Sequence, residues 1–149
     1  MKLGLAGRRL AWQLLLVGAL AACSAPPPAA TVTPAFAPDS PQELQIELAA
    51  LPPGSAAAGK ADFTSVGCVA CHSLEKAVRI VGPSLAGVAT RAASRKPGYS
   101  AQFYLYESIT RPGAYVVAGF PNGLMPPDFK TRLRPQDLAD LVAFLLTEQ

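Results

Sequence analysis

Cys68-Val69-Ala70-Cys71-His72 is the stretch on which the reading of this chain turns. On a helical turn the two cysteines, three residues apart, share one face, and His72 follows directly. A redox dithiol of thioredoxin type would need a βαβ setting, and no such alternation of strands and helices is present. A zinc site would need two further Cys or His ligands. The chain has 3 Cys and 1 His in all, so only Cys23 is left over, and it lies in a different context.

The spacing that remains is that of c-type haem attachment. Two sulfurs one turn apart can each add to a vinyl group on one edge of the ring, and His72 can then reach the iron from below. The cofactor expected is one covalent haem c. The opposite ligand comes from a census. Of 2 Met in the chain, Met1 belongs to the leader, and Met125 stands in Gly123-Leu124-Met125-Pro126-Pro127, a constrained loop. A thioether suits reduced iron, and Met/His ligation raises the reduction potential. Met125 can also be read as a gap-filling core residue, and Lys60, Lys76, Lys96 and Lys130 are the other conceivable ligands. The expected metal ligands are His72 and Met125.

Outward from this site the chain divides by composition. The length of 149 residues fits one compact domain with appendages. Lys2, Arg8 and Arg9 precede an apolar run from Leu14 to Ala22, the pattern of a secretory signal. Extended back to Leu10 it is still too short to span a bilayer; an unprocessed anchor is the competing reading. Without the three leader charges, ten basic residues face ten acidic ones. No basic excess survives for nucleic acid. Residues 24–53 hold eight Pro and seven Ala, a composition for an extended linker of up to ~90 Å. Within it, Ser40-Pro41-Gln42-Glu43 has a helix-capping pattern. Leu44, Leu48 and Leu51 suit a helix, while Leu44, Ile46 and Leu48 suit a strand. Both remain open.

The folded unit is expected over residues 54–149, after a signal over 1–22 and a linker over 23–53. Helical patterns cover Ala56 to Val66, Ala101 to Thr110 after Ser100, and Pro135 to Thr147 with Leu138, Leu141, Val142 and Leu145 on one face. Gly/Pro-rich loops separate them at Val81–Leu85, Lys96–Ser100 and Pro112–Asp128. No alternating run long enough for a sheet is present. The fold class expected is all-α, three to five helices with long loops. So small a unit needs a bound group to complete its core. Lys76, Arg79, Arg91, Arg95 and Lys96 crowd 22 residues against Glu75. They form either a docking face for an acidic partner or an ordinary solvated surface.

Two resemblances add to this. Leu20-Ala21-Ala22-Cys23 resembles the lipobox of bacterial lipoproteins, which implies acylation of Cys23 and anchoring on the periplasmic or extracellular face of a membrane. An ordinary signal cleavage or a stray Cys are the other readings. Gly59 to the C-terminus resembles a class I cytochrome c, with Gly82-Pro83-Ser84-Leu85 matching that family's Gly-Pro-x-Leu loop. The resemblance implies that the Pro83 carbonyl accepts from the haem His, that Leu85 packs on the ring, and that Arg91 lies near a propionate. It also implies that Gly59 and Phe63 cross Phe144 where the first and last helices meet. The activity implied is single-electron transfer between redox proteins, not enzymic turnover; an open-coordination peroxidase-like or sensor protein is the alternative. The chain departs from mitochondrial-type members in having its only Trp, Trp12, in the leader, so that Tyr99 or Tyr104 would take its place. Its Tyr115–Met125 segment is also longer. That segment resembles bacterial cytochromes of large membrane oxidoreductases and, with the lipid anchor, the small cytochrome subunit of alternative complex III.

Overall fold

The computed structural model describes residues 40–149, so the expected signal, Cys23 and the expected linker up to residue 39 lie outside the described residues. Six α-helices and one 3-10 turn, with no strand among the described residues, form the unit. They are α1 (Pro41–Ala49), α2 (Ala56–Ser65), α3 (Val88–Arg95), α4 (Ala101–Thr110), α5 (Phe129–Arg132) and α6 (Pro135–Leu145); the 3-10 turn is Cys68–Ala70. The class is all-α, as expected. The count exceeds the expected three to five because α5 is a single turn and α3 is only eight residues long.

Serines start three of these helices. Ser40, Ser55 and Ser100 each accept a backbone N–H three residues on, at 3.2, 3.3 and 3.1 Å, which satisfies donors that a helix N-terminus leaves open. α6 begins on Pro135, with the Asp137 carboxylate accepting from the Arg134 N–H at 3.0 Å. That carboxyl is held below its usual range by its hydrogen bond to the Arg134 side chain. α2 packs across α6, α3 lies on α4, and α1 lies on α4. The chain end returns to α3, where the Ala89 N–H donates to the Glu148 carbonyl at 3.0 Å.

α1 resolves the open element. Leu44 is fully buried and Leu48 packs on the core, whereas Ile46 is 59% exposed. Helical spacing therefore won over alternation. This short segment, preceded and followed by Pro-rich sequence, places its leucines on α4 and the core. α3 buries Val88, Ala89 and Ala92 on one face and leaves a polar remainder, so it is short but strongly amphipathic. No helix among the described residues is long and apolar enough to cross a membrane.

Candidate functional site

α2 ends at Val66, and Gly67 turns the chain with φ 92°, a left-handed backbone that an L side chain rarely adopts. The Cys68–Ala70 turn follows. The Cys68 carbonyl accepts from the N–H groups of Cys71 (3.1 Å) and His72 (3.0 Å), so the motif closes as a tight turn rather than a run of α-helix. Both cysteines are free thiols and half-buried. Burial pushes the Cys68 thiol up, against a smaller opposing pull from its backbone hydrogen bond.

His72 is oriented by the loop after it. The Cys71 carbonyl accepts from Gly82 N–H at 2.8 Å, and the Ser73 carbonyl from Leu85 N–H at 2.8 Å. This zips residues 82–85 against the motif. His72 Nδ1 lies 2.8 Å from the Pro83 carbonyl. A carbonyl can only accept, so Nδ1 carries the proton and the Nε2 lone pair is free to bind a metal. Gly82 is required here: a Cβ would stand 2.4 Å from His72 Cε1. Arg91 secures the same loop, donating to the carbonyls of Ser84, at 2.8 Å, and Ala86. Its guanidinium is thus first a staple for the segment that presents Pro83.

Cys68, Cys71, His72, Pro83, Leu85, Arg91 and Met125 all line one cavity of about 300 Å³. Lys60, Lys76, Lys96 and Lys130 do not line it. Lys96 is taken by Glu107 (2.5 Å) and Lys130 by Glu47 (2.5 Å). Of the two tyrosines proposed for the missing Trp position, Tyr104 is in the wall, edge-on to Tyr115 with ring centroids 5.6 Å apart. Tyr99 instead stacks on Phe103 and donates to Glu107. The five-charge cluster is largely committed as well. Arg79 lies over the Phe120 ring and donates to the Gly119 carbonyl, while Arg91 and Lys96 have the partners just given.

One residue of the site went unread in the sequence. Tyr104, Leu105, Ser108 and Ile109 form the α4 wall of the cavity, and Ser108 Oγ is buried there with no hydrogen-bond partner among the described residues. The i, i+1, i+4, i+5 spacing was the available signal, a polar residue in the middle of an apolar helical stripe. A buried hydroxyl left unsatisfied costs about 1–3 kcal/mol. Its place in an apolar slot suits a large ring with polar edges. No three of His, Cys, Asp and Glu gather as a metal cluster among the described residues.

Family comparison agrees with this geometry: the model for cytochrome c matches residues 56–149. The chain belongs to the cytochrome c family. Comparison with curated proteins gives no match. This cytochrome accordingly belongs with carriers of covalent haem c that work by haem-based electron transfer. The residues present fit the group: two thiols on one turn, an imidazole with a fixed tautomer, a thioether, and an apolar cavity with an unpartnered hydroxyl. The match starts at residue 56, so α1 is an addition ahead of it.

Proposed function

We propose that this cytochrome holds one haem c and passes single electrons between redox proteins outside the cytoplasmic membrane, while Cys23 tethers it to that membrane by lipid. The observation that carries the reading is the shared cavity of His72, with Nδ1 committed to Pro83, and Met125. When bound, the haem supplies a one-electron couple. The protein's own part is then positional. Cys68 and Cys71 fix one edge, His72 offers Nε2, and Met125 offers its sulfur from the loop of residues 112–128. If His72 and Met125 both bound the iron, no position would be left open for a substrate. The apolar wall of Leu105, Ile109, Val117 and Phe120 disfavours extra charge at the iron and so supports a raised potential. Val69, Val81 and Leu124 are exposed apolar residues of the motif and cavity rim. They suit brief docking of a redox partner. The long Tyr115–Met125 segment supports a place as subunit of a large membrane oxidoreductase.

The spectrum of the purified protein tests the carrier reading. A low-spin spectrum at neutral pH, a weak near-infrared sulfur-to-iron band and slow cyanide binding are expected. A high-spin spectrum with fast cyanide or CO binding would favour the open-coordination enzyme or sensor instead. The tether has its own test. Cys23→Ser should leave haem attachment intact and move the protein from the membrane to the soluble fraction, because acyl chains contribute about 0.8 kcal/mol per buried methylene. A Cys23→Ser protein that stays in the membrane fraction would refute lipid anchoring.

A further inference from the structure

The loop that carries Met125 runs from Arg111, the C-cap of α4, to Phe129, the first residue of α5. Its middle is held by Arg79, through the Gly119 carbonyl and the Phe120 ring. Its two ends meet at a residue from outside the family-matched region. Glu47 of α1 takes Lys130 of α5 on Oε1 at 2.5 Å. On Oε2 it takes Arg111 at 3.6 Å and the Tyr106 hydroxyl at 3.3 Å. The Glu47 and Arg111 side chains are only 25% and 12% exposed, so that pair is less screened than a surface pair, whereas Lys130 is 39% exposed and its pairing is more open to solvent. Burial, and then the charge and hydrogen bond of Glu47, push the Tyr106 phenol up to about 12, so it stays a donor across the working range of pH. α1 is itself fixed by the fully buried Leu44.

We propose that Glu47 is a positioning residue for the sixth ligand: its single carboxylate clasps the entry and exit of the 112–128 loop and thereby holds Met125 on the iron. This rests on Met125 being the axial ligand. A loop whose ends are pinned together samples fewer open arrangements than one closed only through its own backbone. Releasing the clasp raises the fraction of molecules in which the thioether has left, and an added ligand gains apparent affinity in proportion to that fraction.

The test uses the full-length ferric holoprotein and imidazole as competitor, followed by loss of the near-infrared sulfur-to-iron band. Glu47→Gln should raise the apparent imidazole affinity about tenfold, and Lys130→Gln, which leaves α1 untouched, about three- to fivefold. The double variant should do no more than Glu47→Gln alone, because the two residues act as one unit. If Glu47 merely pins α1, Glu47→Gln lowers the unfolding midpoint while imidazole affinity stays within about twofold; that result overturns the clasp and leaves Met125 as ligand. A band absent from the unsubstituted protein overturns the Met125 assignment, and the clasp with it.

Discussion

Met125→Ala should give a protein that keeps its haem, loses the near-infrared sulfur-to-iron band and falls in reduction potential by on the order of 200 mV, within the ~0.8 V that axial ligation spans. The haem stays because its attachment rests on Cys68, Cys71 and the His72–Pro83 hydrogen bond, none of which involves the 112–128 loop. The potential should fall because the chain would no longer offer the soft sulfur donor that favours ferrous iron. Substitution from within the chain is not available: none of the four lysines outside the leader lines the cavity, and His72 is the only His in the chain. The variant should also bind cyanide and CO readily. Stability should drop less than for a core truncation, which costs about 2–5 kcal/mol, since Met125 is only half-buried. Potentiometry and visible to near-infrared spectra of the two proteins decide it. A variant with the native band, or a potential within about 20 mV of native, would return Met125 to the role of a gap-filling side chain.

Scarcity made the centre legible. With one His and one Met outside the leader, composition alone nominated His72 and Met125, and the structure brings both to one cavity. Helices α2, α4 and α6 were legible: α4 through Ser100 at its start, and α6 through Pro135 and its stripe. What escaped reading did so for physical reasons. In α1 the leucines and Ile46 satisfy two periods at once, and only burial against α4 separates them. α3 carries an apolar face of Val88, Ala89 and Ala92, but it spans only eight residues and two of the three are alanine, so the stripe is easily missed. Ser108 is ordinary in sequence and becomes informative only when its hydroxyl is found buried without a partner. The Glu47 clasp joins residues 64 and 83 positions apart, and no local pattern encodes an ion pair of that separation. The Pro83 carbonyl contact was implied by the family resemblance, since a backbone acceptor leaves no trace in side-chain chemistry.

The crossing of α2 and α6 carries the largest expected effect on stability. Gly59→Ala should lower the unfolding free energy by about 2–3 kcal/mol, or the melting midpoint by roughly 10 °C for a domain of this size. A Cβ at Gly59 would stand 1.9 Å from the Asp140 carbonyl oxygen, 2.4 Å from its carbon and 2.8 Å from Phe144 Cβ. The first two are backbone and cannot swing away, so the helices must part. Parting is resisted nearby. The Asp140 carboxylate accepts from the Ser55 N–H at 2.6 Å and from Gln136 at 2.9 Å, and Phe63 meets Phe144 with centroids 5.7 Å apart. Ala gains about 1 kcal/mol over Gly in helix propensity, which offsets part of the clash and keeps the net effect at the stated size. Two comparisons isolate the cause. Gly67→Ala meets nothing within 4 Å, so it carries only the strain of its positive φ, about 1–2 kcal/mol. Lys60→Ala, exposed on the same helix, should change stability by less than about 0.5 kcal/mol. Denaturant unfolding of the holoproteins would rank them Gly59→Ala, Gly67→Ala, Lys60→Ala from most to least destabilised. If Gly59→Ala proved as stable as Lys60→Ala, the close approach of α2 to α6 would not be what holds this unit together.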